Sequence, residues 1–252
     1  TEIIKEDYLT STNSSNINSD TEYFISDLRF GESYFWRVRV MIDGTTAQAW
    51  SNTWTFNTRD YVSLNSPADQ ADTWTGTTID WLSHDYVDKY QWQVDTILSF
   101  DSSALISGEN DYFGIYDGNS DTEKYITDLF FGKIHYWRVR AINAVDTSAW
   151  SEVRSFNTNN FVNLTTPEEG SNQWTGLTLD WYSHIGVDFY HWELDTSQNF
   201  NSNAKLSGSN EYINALSTNN DTKEYVTDLY FGKTYYWRVR SSNAVDTSAW
   251  SE

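Results

Sequence analysis

The chain repeats itself at the spacing of one domain, and this limits its fold more than any other property. Trp50, Trp150 and Trp250 stand 100 residues apart, and Pro67 and Pro167, Trp81 and Trp181, and Trp92 and Trp192 keep the same interval. The ten residues Asn143–Glu152 recur letter for letter at 243–252. A period this long is one self-sufficient domain rather than a rung of a solenoid. It also weighs against catalysis, because an active site seldom needs serial copies, whereas reach, valency and building material do.

The ending Phe-Asn-Thr at Phe56-Asn57-Thr58 and Phe156-Asn157-Thr158 sets the frame. Residues 1–58 read as the second half of one repeat, 59–158 as a complete repeat, and 159–252 as a third that lacks most of its last strand. The expectation is a window cut from a longer array. A last sandwich that accepts a strand from another subunit is the costlier reading of the same ending.

Within 59–158 the apolar residues alternate with a period of two, the mark of half-buried strands. Ile79 and Trp81 face one way and Asp80 the other. Tyr90, Trp92 and Val94 point inward against Gln91, Gln93 and Asp95 outward. His135, Trp137 and Val139 point inward against Tyr136, Arg138 and Arg140. Shorter runs at 62–64, 124–129 and 153–156 bring the set to about seven strands, with Asn, Asp, Ser and Gly between them as turn formers. No stretch has helical periodicity. The expected fold is all-β, two packed antiparallel sheets per repeat.

Several residues together carry a resemblance: Pro67 near the start, Trp81 ending the second strand, and Tyr90-x-Trp92-Gln93-Val94 in the third. Leu129-x-x-Gly132, Tyr136-Trp137-Arg138-Val139-Arg140, Ser148-Ala149-Trp150-Ser151 and the closing Phe156-Asn157-Thr158 complete it. The unit resembles a fibronectin type III-like (immunoglobulin-like) β-sandwich, in the tandem form found on large secreted bacterial proteins of the Bacteroidetes type. The resemblance covers all of 59–158, most of 159–252 and the second half of a unit in 1–58. It implies fold strongly and function weakly, since one fold hosts many roles. The family's corner tyrosine matches Tyr34 and Tyr235, but His135 stands in the middle repeat. The expectation there is a structural histidine with its hydrogen bond satisfied.

Charge and composition exclude several classes. The net charge is −20, a field that repels phosphate backbones, so nucleic acid is not an expected partner. There is no cysteine, hence no disulfide, thiolate metal site or thiol nucleophile. No apolar run approaches membrane-spanning length, and no membrane insertion of this segment is expected. The histidines His84, His135, His184 and His191 form no His-Glu-x-x-His pair, and neither a Gly-x-Ser-x-Gly elbow nor a phosphate loop occurs. A paired-carboxylate glycosidase leaves no motif to test, but the repetition weighs against it. The expectation is a non-enzyme.

Three sets of residues are candidates for contact. The loop Asp117-Gly118-Asn119-Ser120-Asp121 offers oxygen ligands at alternate positions, so Asp117, Asn119 and Asp121 are candidate ligands of a structural calcium. The full twelve-residue calcium loop is absent and such loops are more often plain turns, so chelator is expected to change the melting temperature little. No other cofactor is expected. Trp74 and Trp174 each precede Thr-Gly, and Phe131 and Phe231 each precede a turn glycine. These aromatics are read as capping or inter-repeat packing first, and as platforms for a sugar ring second. Arg138 and Arg140 with Trp150, and their counterparts in the other repeats, are read as a structural stack of guanidinium on indole, like the Arg–Trp ladder of cytokine-receptor domains.

The linker Thr58-Arg59-Asp60-Tyr61-Val62 contains no flexible hinge composition, and Tyr61 and Phe161 are placed to pack between neighbours. This predicts a stiff rod rising roughly 30–40 Å per repeat. The functional expectation is a structural or adhesive rod, part of a giant extracellular surface filament, stalk or adhesin. Its partners would be neighbouring repeats and other copies in a homo-oligomeric filament, with an unidentified cell-surface or glycan target. The alternative is a spacer or carbohydrate-binding accessory region of a secreted polysaccharide-degrading enzyme.

Overall fold

A computed structural model describes residues 22–42, 45–112, 122–212 and 222–252. The candidate calcium ligands Asp117, Asn119 and Asp121 lie outside the described residues. All regular structure among the described residues is β. Residues 22–58 contribute β1 (Ser33–Trp36), β2 (Met41–Ile42), β3 (Thr46–Ala47) and β4 (Trp54–Asn57). β1 pairs antiparallel with β4, and β2 with β3.

The stretch 62–158 folds as a complete two-sheet sandwich. Its strands are β5 (Leu64–Ser66), β6 (Ala71–Thr73), β7 (Thr77–Trp81), β8 (Lys89–Asp95), β9 (Ile106–Asp111), β10 (Glu123–Ile126), β11 (Ile134–Ile142) and β12 (Arg154–Thr158). One sheet has the order β10-β7-β5 and the other β6-β12-β11-β8-β9. All pairings are antiparallel except β12 with β6. This strand order is the all-β, fibronectin type III-like sandwich. The third unit repeats six of these eight strands, without counterparts of β6 and β12 among the described residues: β13 (Leu164–Thr166), β14 (Leu177–Trp181), β15 (Phe189–Asp195), β16 (Leu206–Glu211), β17 (Lys223–Val226) and β18 (Tyr236–Ser242), in sheets β13-β14-β17 and β16-β15-β18.

The two-residue alternation holds along these strands except at Asp95, expected outward but fully buried, where its carboxylate accepts from the Thr96 and Ser102 N–H groups at the strand's end. Ile79, Trp81, Tyr90, Trp92, Val94, Trp137, Val139 and Phe156 form one buried cluster between the sheets. Burying each such side chain is worth roughly 1.5–3 kcal/mol, so about eight of them outweigh any single surface contact. Two strands, β6 and β9, lay outside the sequence reading. β9 carries Ser107, Gly108, Asn110 and Asp111, which look like turn residues. Gly108 is there because the Trp92 indole lies across it: a Cβ at Gly108 would stand 2.5 Å from Trp92 Cζ2. Trp92 Nε1 donates to Asn110 Oδ1 at 3.1 Å, so the polar residue pairs the indole and holds the edge strand.

The outer face carries the Arg–Trp stack. Arg138 and Arg140 each lie 4.4 Å from the Trp150 ring centroid, and Arg238 and Arg240 stand at the same distance over Trp250. Arg37 and Arg39 flank Trp50 likewise, at 4.4 and 4.3 Å. Arg138 is also bonded through Nε and Nη2 to Gln93 Oε1, which fixes the guanidinium plane over the indole. At roughly 0.5–1 kcal/mol per exposed contact, Trp150→Ala is expected to cost about 1–2 kcal/mol. Chemical denaturation of the chain checks this; no change in the midpoint of the 59–158 unit would show the stack to be ornamental.

Candidate functional site: the joint between repeats

The densest unexplained chemistry lies where one unit meets the next, and it is built twice. In each following unit the hairpin after the long strand presents Asn-Ala-Val-Asp. The Asn143 side-chain oxygen accepts from the Val145 and Asp146 N–H groups at 3.1 and 2.9 Å, and Asp146 Oδ1 accepts from the Thr147 N–H at 2.8 Å. These bonds lie within the loop itself and do not depend on the neighbouring unit, as Asn and Asp side chains bond in turns. What remains free of the two side chains points at the preceding unit.

Across the first joint, the Asn143 amide donates to the Leu28 carbonyl at 2.8 Å, and Asp146 Oδ2 accepts from the Phe30 N–H at 3.0 Å. Across the second, Asn243 donates to the Leu129 carbonyl at 2.8 Å and Asp246 Oδ2 accepts from the Phe131 N–H at 2.9 Å. The target is the turn Asp-Leu-x-Phe-Gly, shaped each time by a left-handed Asp (Asp27, Asp128) and a left-handed Gly (Gly31, Gly132). The linker closes the contact from the side. Asp60 Oδ1 accepts from the Ala149 N–H at 3.2 Å, and Asn160 Oδ1 from the Ala249 N–H at 3.1 Å. The linker side chain needs the turn glycine: a Cβ at Gly132 would stand 2.8 Å from Asn160 Cγ.

The second joint has a further half. The turn Trp74-Thr75-Gly76 of one unit meets His184-Ile185-Gly186 of the next. Trp74 stacks on His184 with ring centroids 3.6 Å apart and planes at 12°. The Thr75 hydroxyl donates to the Gly186 carbonyl at 2.8 Å, and the Gly76 N–H donates to the Ile185 carbonyl at 3.1 Å. Burial pushes the His184 imidazole down to about 4, against a weaker upward pull from the Ser183 backbone, so the ring is neutral where it stacks. Phe131 completes the joint: it is 5% exposed and belongs to the buried cluster of the third unit, not of its own.

In the first joint the aligned turn is His84-Asp85-Tyr86, and the described residues include no Trp-Thr-Gly turn opposite it. Phe24 packs on Tyr86 with centroids 4.9 Å apart.

The four candidate contact aromatics therefore fall into two pairs. Trp74 and Phe131 are engaged in the second joint. Trp174 and Phe231, their counterparts one unit on, are 85% and 81% exposed. Tyr61 and Phe161, expected to pack between neighbours, stand 60% and 50% exposed. Asp60 and Asn160 beside them make the contact, through side-chain oxygens that accept from the Ala149 and Ala249 N–H groups. The Asn-x-x-Asp clamp and Gly186 were not singled out from sequence. The one signal for the clamp was the letter-for-letter identity of 143–152 with 243–252, which now has a physical cause.

His135 corrects another expectation. In the other units the corner tyrosine accepts from a backbone N–H five residues back: Tyr34 from Arg29 at 2.8 Å and Tyr235 from Tyr230 at 2.9 Å. His135 occupies the same buried place, stacked on Phe156 at 5.4 Å as Tyr34 is on Phe56 at 5.5 Å. Neither ring nitrogen makes a well-formed hydrogen bond. Burial pushes its pKa down to about 4, with the Lys133 backbone pulling weakly the other way.

The clamp gives a direct expectation. Asp246→Ala removes the acceptor of the partly buried Phe131 N–H and is expected to cost about 1–3 kcal/mol of coupling between the second and third units. Asp246→Asn keeps one oxygen for the Phe131 N–H but turns its NH2 toward the Thr247 N–H that the second carboxylate oxygen now serves, so it should recover only part of the coupling. Differential scanning calorimetry of the two variants reads this; no loss of coupling in Asp246→Ala would show that the Phe131 N–H bond does not hold the joint.

No family profile and no curated protein matches this chain. Among solved structures, the chain is similar to the FN1–FN3 domains of chicken CNTN1, at 12% identity and a TM-score of 0.28, covering 87% of this chain and 73% of that one. It is also similar to a two-domain fibronectin type III segment of chicken tenascin, at 13% identity and a TM-score of 0.32, covering 75% of this chain and 94% of that one.

Proposed function

We propose that this chain is a non-catalytic segment of an extracellular structural or adhesive rod, in which each sandwich is locked to the next at a fixed rotation. The observation that carries this is the repeated joint: the same Asn–carbonyl bond, the same Asp–amide bond and the same linker bond recur at two successive junctions. A flexible tether has no use for side chains that grip the neighbour. A rod does, because bending is resisted only where several contacts around the axis must break together. The Arg–Trp stacks stiffen each unit in turn, and the absence of a Gly/Ser hinge supports the same reading.

A giant surface filament, stalk or adhesin on a Bacteroidetes-type bacterium is the setting this reading favours, with adhesion residing at a tip or in the assembled filament. The carbohydrate reading is weaker for the second joint, since Trp74 is stacked against His184 and Phe131 is buried. The net charge of −20 opposes lateral bundling of such rods unless cations screen it.

Small-angle X-ray scattering of the chain tests the rod. The expected result is one elongated particle whose second and third units stay at a fixed spacing of roughly 30–40 Å. A broad distribution of that spacing would overturn it. Electron microscopy of the native protein then separates a single file of beads, a tether, from a thicker filament of several chains, a building material.

A further inference from the structure

The second joint buries one pole of the 59–158 unit, and the matching pole of the 159–252 unit meets no other unit among the described residues. That pole carries the same chemistry residue for residue: Trp174-Thr175-Gly176 for Trp74-Thr75-Gly76, and Leu229, Phe231 and Gly232 for Leu129, Phe131 and Gly132. It is already shaped for the contact. Asp228 and Gly232 hold the left-handed backbone that their counterparts hold in the occupied joint, with φ of 61° and 63° against 59° and 62°. The Leu229 N–H is tied to the Thr175 carbonyl at 3.1 Å, as Leu129 is to Thr75 at 3.3 Å. Two large aromatics, Trp174 and Phe231, are held out to solvent here, and the complement of this surface is visible one unit earlier.

We propose that this pole is a docking surface for one kind of partner: another β-sandwich repeat presenting a His-x-Gly turn and an Asn-x-x-Asp loop. The glycine of that turn is the residue the surface selects. The inference rests on the rod reading and names the partner of the same joint.

The selectivity follows from how close the two backbones come. A Cβ built on Gly186 would stand 2.1 Å from the Gly76 nitrogen and 2.4 Å from the Thr75 carbonyl carbon. Both obstacles are backbone atoms of the hydrogen-bonded turn, so no side chain can swing away to make room. Gly186 also has φ of 82°, where L side chains are strained. The 59–158 unit carries Tyr86 at the equivalent place, left-handed at φ 61° and therefore bearing a Cβ on the face that Trp-Thr-Gly would have to approach. A repeat of the Tyr86 kind cannot seat this pole in the observed geometry, although its Asn143–Asp146 clamp is intact. The clamp makes the joint general and the glycine makes it selective.

The test appends a second copy of residues 153–252 after Glu252, which keeps the register because 243–252 repeats 143–152. The appended copy carries Trp174→Phe, so that peptides from the two positions differ in mass. Hydroxyl-radical footprinting with mass spectrometry then reads the oxidation of each indole. In the 252-residue chain Trp174 should oxidise at least five-fold faster than Trp74. In the extended chain Trp174 should fall to the rate of Trp74. Adding Gly186→Tyr to the appended copy should restore the fast rate at Trp174 and leave Trp74 unchanged. A Trp174 that stays reactive in the extended chain while Trp74 is protected overturns the proposal and leaves the rod standing. Protection that survives Gly186→Tyr overturns the selectivity. A Trp74 already as reactive as Trp174 in the 252-residue chain removes the joint itself, and both readings with it.

Discussion

Replacing Gly186 with tyrosine is expected to uncouple the third unit from the second while leaving both sandwiches folded. The substitution puts a Cβ where Gly76 and Thr75 backbone atoms already stand, at 2.1 and 2.4 Å, so the turns must separate by more than an ångström. Separation breaks the Gly76–Ile185 and Thr75–Gly186 hydrogen bonds and the Trp74–His184 stack together. Each bond is worth roughly 0.5–1.5 kcal/mol net and the stack a similar amount, so about 2–4 kcal/mol of coupling is at stake. The Asn243 and Asp246 bonds are on the other side of the joint and remain as a one-sided hinge. The measurement is thermal unfolding followed by calorimetry. The parent should show the second and third units melting with coupled transitions, and the variant should show the third melting earlier and alone. An unchanged profile would mean that the Trp74 side of the joint contributes no stiffness. The structure supplies its own control, since Tyr86 already occupies the aligned position one unit earlier and its sandwich is intact.

The second large effect has the opposite sign. His135→Tyr is expected to stabilise the 59–158 unit by about 1–3 kcal/mol at neutral pH. The phenol would meet the backbone N–H that Tyr34 and Tyr235 meet in their own units, and it would replace a buried ring whose nitrogens lack good partners. The gain depends on pH in a defined direction. His135 is held near 4 when folded, against 6.5 for an ordinary imidazole. The unfolded chain therefore binds the proton first. Stability from the neutral ring is complete above pH 6.5, falls as pH drops from 6.5 to 4, and levels off below. By that linkage the tyrosine variant should gain about 3 kcal/mol over the parent across the window. Urea titrations at pH 7.5 and pH 4.5 decide it: a difference between variant and parent that does not widen in acid would mean His135 is not the titrating group. His184, also held near 4, is present in both proteins and cancels in the comparison.

Much of the fold was legible because the sandwich writes itself in local alternation. Ile79 and Trp81, or Tyr90, Trp92 and Val94, need only a two-residue rhythm to be assigned inward, and all of them are buried. β9 escaped because its residues answer to the Trp92 indole on the neighbouring strand, a contact that makes Gly and Asn the right choices for a strand. The joint was legible only in part for the same reason at longer range. Trp74 and Phe131 stood out as large apolar residues in turns. Asn143 and Asp146 looked like ordinary turn formers, and three of their side-chain hydrogen bonds are indeed local. The other two reach residues 115 and 116 positions away, which no local pattern announces. Gly186 was invisible for a plainer reason: a glycine in a turn has many possible causes, and only the opposing backbone identifies this one.

The division of each joint between two poles bears on how such a chain can change over generations. The last two units each carry a socket at one end and a plug at the other, and the ten residues that complete the plug are identical in both. Where the coding sequence matches as the protein does, homologous recombination can cross over between these stretches at their constant 100-residue phase. A crossover there deletes or duplicates one whole unit and leaves the flanking plugs and sockets matched. Length is thus free to drift without loss of stiffness. Order is not: a duplication that set a Tyr86-type unit behind a Trp-Thr-Gly socket would put a weak point into the rod. Variation among descendants should therefore appear as changes in copy number, with the succession of unit types preserved.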